Sequence, residues 1–154
     1  MAYGFKGKGV TLHSLVDGNG HPLAVSTTSA KGDERGQVIP LLSSIKLKTG
    51  QRGRARSRPK SLQGDKGYDS KELRCQLWRR GIQPLIPRRE WLGRKQPRGR
   101  HPAAGPDRWK VERTFAWYQR KFRRLVARWE RRCKYWNGFM LLAVCCIWLD
   151  ILVG

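Results

Sequence analysis

Two blocks of alternating apolar and polar positions lie near the start of the chain: Val10-Thr11-Leu12-His13-Ser14-Leu15-Val16 and His21-Pro22-Leu23-Ala24-Val25-Ser26-Thr27-Thr28. A period of two is the mark of a strand with one buried face. Between the blocks, Asp17-Gly18-Asn19-Gly20 supplies residues that tolerate positive φ, so the pair is predicted to fold back as an antiparallel hairpin. Asp17 is therefore expected to serve the turn rather than to act as a catalytic acid. Residues 1–9, basic and Gly-rich, read as an approach segment, which makes 1–30 the hairpin unit.

From Gly32 to Ile45 the period lengthens. Val38, Ile39, Leu41, Leu42 and Ile45 make one helical face, Asp33 and Glu34 stand where a helix N-terminus favours negative charge, and Pro40 is expected to kink or shorten the helix. Lys46 to Lys60 has almost no apolar content and reads as an exposed basic loop, completing 31–60. In 61–87 a short strand, Ser61 to Asp65, precedes a helix capped by Ser70, carrying Leu73, Leu77 and Trp78 and stopping at Gly81; Ile82 to Ile86 is a second strand despite Pro84. That order is a βαβ unit, whose crossover is expected to be right-handed and whose functional residues gather at strand carboxyl ends, where Asp65 stands.

Residues 88–107 are rich in Pro, Gly and Arg without periodicity, and read as a basic linker. Beyond it Val111, Phe115, Tyr118, Phe122, Leu125 and Trp129 recur at spacings of three and four, predicting the longest helix of the chain within the unit 108–154. Glu112 falls about 100° from the centre of that stripe, at the edge of the buried face. Arg113, Arg120, Arg124 and Arg131 cluster on the opposite side. The segment from Tyr135 to Gly154 is apolar on most faces and is expected to be a buried terminal helix, packed on the sheet or on a partner subunit. Its wholly apolar stretch, Phe139 to Leu149, is about half the ~20 residues of a membrane span, so no membrane partner is expected.

Composition sharpens this picture. A chain of 154 residues, 39% hydrophobic, is compatible with one α/β domain that buries a core. Thirty-three Lys and Arg against eleven Asp and Glu give a formal charge of +22, which a folded chain tolerates best beside a polyanion. The helix arginines, together with Arg88, Arg89, Arg94, Arg98, Arg100 and Arg108, fit a phosphate track. Cys75, Cys133, Cys145 and Cys146 form no CxxC and have no partnered histidine, so neither a zinc site nor a disulfide framework is indicated and a reducing cytoplasm fits. His13, His21 and His101 are assigned no chemistry. The tryptophans are expected to be core residues for the most part, and no base recognition is read from them.

Two carboxylates stand out as chemistry. Asp65, in Gly64-Asp65-Lys66-Gly67-Tyr68-Asp69, sits at a strand end; Glu112, in Val111-Glu112-Arg113-Thr114-Phe115-Ala116-Trp117, sits in a basic helix. Carboxylates converging from two elements can hold Mg²⁺, which prefers a few such oxygens plus water and substrate phosphate.

With those residues in view, the chain resembles the C-terminal part of bacterial insertion-sequence transposases of the DDE type. The matching stretches are VTLHSLVDGNGHPLAV, SAKGDERGQVIPLL, GDKGYDS, RRGIQPLIPRR and WKVERTFAWYQRKFRRL, in the family's order. The resemblance implies a ribonuclease H-like mixed sheet flanked by helices, with Asp65 at the second catalytic aspartate and Glu112 at the catalytic glutamate, both as ligands of two Mg²⁺ ions. Arg108 stands where the family's Y-R-E-K signature has its arginine; the tyrosine would fall at Gly105 and the lysine at Gln119, with Arg120 next to it as the replacement. Lys66, Arg108, Arg113, Arg120 and Arg124 are thereby expected to contact DNA, both transposon ends and target. The complete protein is expected to act as a homodimer at the bacterial nucleoid.

In that family the first catalytic aspartate lies on a central strand ahead of the hairpin, and no such strand or acid precedes residue 10 here. The expectation is a sheet lacking its first central strand, weakened folding, and a polypeptide inactive or nearly so by itself. The competing expectation is a basic nucleic-acid-binding module without catalysis, or a decayed transposon remnant.

Overall fold

The computed structural model describes residues 3–4, 7–30, 32–47, 50, 52–53, 57–89, 107–127, 130 and 132–154. Trp91, Arg94, Arg98, Arg100, His101, Gly105, Trp129 and Arg131, and with them most of the expected basic linker, lie outside these residues. The architecture is mixed α/β, in two compact units, residues 1–45 with 109–154 and residues 46–108.

In the first unit β1 (Tyr3–Gly4) pairs antiparallel with β2 (Gly7–Lys8), and β3 (Val10–Val16) with β4 (Pro22–Ser29). The hairpin register sets Leu12 against Thr27 and Ser14 against Val25. These residues share a face because side chains alternate along each strand and partners point the same way. That face meets the core: Val10, Leu12 and Val25 pack against Tyr118, Trp136, Met140 and Ile147. The Ser14 hydroxyl lies 3.4 Å from that of Tyr118, and Thr27 donates to the Asn137 side chain. On the other face His13 is 5% exposed, with Nε2 2.8 Å from the Thr28 hydroxyl. Burial holds the His13 imidazole below its usual range, partly offset by the charge of Glu34.

A single 3₁₀ turn (Arg35–Gln37) leads into α1 (Val38–Ser44), which packs on β3 and β4 through buried Leu41 and Leu42. Asp33 opens it by accepting from the backbone N–H groups of Arg35 and Gly36. Pro40, the third residue of α1, falls in the first turn, where a missing N–H is tolerated, so the helix is short rather than kinked.

The long amphipathic helix is interrupted. It runs as α3 (Arg108–Lys121), breaks at Phe122, and resumes for one turn as α4 (Arg123–Val126). No Gly or Pro marks the break. It falls among Arg120, Lys121, Arg123 and Arg124, whose three- and four-residue spacings are those at which like charges destabilise a helix. Phe122 and Leu125 still pack on the core. The longest helix is instead α5 (Cys133–Val153). Expected to be buried, it is buried on one face only, through Trp136, Met140, Ala143 and Ile147; Leu141, Leu142, Leu149 and Leu152 are exposed. By length and composition it could cross a bilayer, a test that core helices also pass. Here one face packs in the protein core, and Trp148 Nε1 donates to the Pro22 carbonyl at 2.8 Å.

The second unit is the βαβ unit. β5 (Ser61–Gln63) pairs parallel with β6 (Gln83–Leu85), and α2 (Lys71–Arg79) runs between them, burying Leu73 and Leu77 with Ile82 and Ile86. Ser70 caps α2 by accepting from the Leu73 N–H at 3.4 Å, and Gly81, at φ +68°, turns the chain out of the helix. Trp78 departs from the expected core role, at 59% exposure. Among the described residues the hairpin and the parallel pair are each two-stranded sheets.

Candidate functional site

Asp65 follows β5 after one residue, Gly64, whose N–H still reaches the Leu85 carbonyl at 3.4 Å. Backbone pairing thus extends to the residue before the carboxylate. A 3₁₀ turn, Lys66–Tyr68, comes next, and Asp65 caps it: Oδ1 accepts from the Gly67 N–H at 2.8 Å. A Cβ at position 67 would lie 2.9 Å from that oxygen, so glycine is what lets the carboxylate fold over the turn. Asp65 and Lys66 are both exposed.

Behind this turn lies a clamp that pattern reading missed. Arg74 of α2 donates from Nε to Asp69 Oδ1 at 2.8 Å and from Nη2 to the Ile86 carbonyl at 2.7 Å, while Asp69 Oδ2 accepts from the Arg89 N–H at 2.7 Å. One ion pair therefore ties the loop after β5 to the chain leaving β6. Burial acts to raise the Asp69 pKa, but the Arg89 N–H, the Arg74 hydrogen bond and charge, and the Arg88 charge outweigh it and hold the carboxyl below the usual range. The second aspartate of GDKGYDS, with an arginine five residues on, was the available signal.

The start of α3 carries Arg108, the last residue of the second unit, and Glu112, in the first unit, both exposed. Three neighbours on α3 grip the hairpin turn: Lys110 Nζ donates to the Gly18 carbonyl at 2.6 Å, Arg113 to that of Asn19, and Thr114 to that of Gly20. The Arg113 guanidinium also lies 4.9 Å from the Trp109 ring centre and 5.0 Å from that of Trp117. Expected on the DNA-facing side, Arg113 is instead engaged on the protein's own backbone. Arg124 pairs with Glu130 at 2.9 Å over the Phe139 ring, and Lys121 pairs with Asp150. Arg120 is exposed.

Asp65 belongs to one unit and Glu112 to the other. Among the described residues no group of three or more His, Cys, Asp or Glu forms a ready metal cluster within bonding range. The donor chemistry of the two candidates nonetheless fits a hard divalent cation, since both offer carboxylate oxygens at exposed positions and Asp65 has accepting capacity beyond its one bond to Gly67.

Comparison with known proteins gives the family. The sequence matches the family model described as Transposase DDE domain over residues 3–149. It is 40% identical over 136 residues, 88% of this chain, to a Burkholderia cepacia protein whose name assigns it as transposase for insertion sequence element IS402. The chain spans 60% of the length of that relative. No solved structure matches it. A family match that takes in the hairpin, the Asp65 turn and the Glu112 helix together is decisive: the chain belongs to the transposase DDE domain family.

Proposed function

We propose that this chain provides the second aspartate and the glutamate of a DNA transposase active site, in a ribonuclease H-like arrangement that cuts and rejoins DNA strands at insertion-sequence ends. The observation that carries the reading is that each carboxylate stands exposed on a fixed backbone beside cations: Asp65 capping its own turn next to Lys66, and Glu112 one helical turn from Arg108. Asp65 and Glu112 would share divalent cations, Mg²⁺ by preference, and when bound these supply an activated oxygen nucleophile and neutralise charge on the phosphodiester. Lys66, Arg108 and Arg120 are the exposed cations assigned to phosphate, with Arg124 at the margin because Glu130 already shares its charge.

The test is spatial. Fe²⁺ with ascorbate and peroxide, substituted for Mg²⁺ on the DNA-bound protein, should cut the polypeptide near both residue 65 and residue 112. Asp65→Asn should remove both cuts while leaving DNA affinity within about twofold, because it deletes a ligand and not a phosphate contact. Cuts at one segment only, or at neither, would end the shared-ion reading and leave a basic DNA-binding module.

A further inference from the structure

The structure around α3 carries more than the family assignment. We infer that the tip of the β3–β4 hairpin is the positioning element for Glu112, and that Lys110, Arg113 and Thr114 act as positioning residues; this rests on the reading of Glu112 as a cation ligand.

Three consecutive carbonyls, of Gly18, Asn19 and Gly20, each accept from a different side chain within five residues of α3. A turn exposes such carbonyls because its strands leave them unpaired. The donors flank Glu112 on both sides, at 110, 113 and 114, so any rotation or slide of that part of the helix breaks bonds to the hairpin. Thr114 is 0% exposed, which makes its hydroxyl bond a buried one. Arg113 is held between two rings, so it is restrained even before it meets Asn19.

The hairpin tip is fixed in its turn from the other side. Asp17 Oδ1 accepts from the N–H groups of Asn19 and His21, both at 2.8 Å, and Oδ2 lies 3.1 Å from His21 Nδ1. The His21 ring stacks at a tilt on Trp148, 5.5 Å between centres, and Trp148 anchors Pro22. Gly20 sits at φ +85°, and a Cβ there would meet the Lys110 carbonyl at 3.0 Å and Arg113 Nη2 at 3.1 Å. The glycine of the turn is therefore also the gap that lets α3 close on the hairpin.

Mn²⁺ titration of the full chain bound to duplex DNA, read by calorimetry beside hydrogen exchange of residues 109–116, separates the possibilities. Thr114→Val should weaken Mn²⁺ about threefold to tenfold, the size of one net hydrogen bond, and speed exchange in that stretch. Thr114→Ser should restore both. Gly20→Ala, acting from the hairpin side, should reproduce Thr114→Val. Should Thr114→Val fail to fold, the milder Lys110→Met should still weaken Mn²⁺ about twofold to threefold. Glu112→Gln reports the parent reading: if it binds Mn²⁺ like the unmodified chain, that reading fails. If Glu112→Gln abolishes binding while folded Thr114→Val, Gly20→Ala and Lys110→Met bind unchanged, or if serine fails to rescue, the positioning role is overturned and the parent reading survives.

Discussion

At the scale of single residues, Asp69 holds the loop after β5 to the chain leaving β6. Its carboxylate links Arg74 on α2 to the Arg89 backbone, and both side chains of the pair are largely buried, at 16% and 18% exposure. Asp69→Asn keeps the shape and removes the charge, leaving the Arg74 guanidinium partly buried against a neutral partner, which is costlier than losing the pair. Melting temperature should fall, and the pH dependence should change with it. Because the folded pKa of Asp69 is depressed, its stabilisation is complete above the unfolded value, about 3.9, and is lost as pH falls through the folded value. Denaturant midpoints taken between pH 6 and 3 should decline for the unmodified chain and run flatter for Asp69→Asn. An acid limb of equal slope in both proteins would show that the clamp carries no linked proton.

At the scale of elements, local signals are legible where one stretch of chain contains both the cause and the effect. The DGNG turn, the Ser70 cap and the Gly81 exit depend on backbone geometry within a few residues, and all three stand in the structure. Ser70→Ala should therefore cost about 0.5–1 kcal/mol, at the low end of capping effects because the bond is long, and equilibrium unfolding would measure it. A cost near zero would mean that α2 is held by Leu73, Leu77 and the Arg74 clamp rather than by its cap. What was not legible depends on partners distant in sequence. Nothing in the apolar stripe distinguishes an uninterrupted helix from one broken at Phe122, since Phe122 and Leu125 reach the core in either case. Arg113 looked solvent-facing because helical spacing sets its angle but not whether a hairpin 94 residues earlier meets it there. The apolar outer face of α5 was expected to be covered, yet a uniformly apolar helix carries no record of which side its neighbours take.

For the whole molecule, the decisive property is charge, and under the proposed function it bears on which arginines would reach DNA. On that reading a chain of +22 would gather counterion-laden polyanion, and each phosphate neutralised would release counterions, so affinity should fall with salt in proportion to the contacts made. The total charge cannot distinguish a cation that meets phosphate from one spent within the fold, but the salt slope can. Arg120 is exposed, whereas Arg113 is committed to Asn19 and two tryptophans. Arg120→Gln should weaken duplex binding and reduce the slope of log K against log salt by about one. Arg113→Met should instead lower the melting temperature, and as long as the protein is folded its slope should stay within about 0.3 of the unmodified value, because no released counterion belonged to it. Fluorescence anisotropy from 50 to 300 mM salt, paired with melting curves on the same samples, reads both quantities. Should Arg113→Met take a full unit from the slope, the guanidinium must leave the hairpin when DNA arrives, and α3 would be braced only in the absence of substrate.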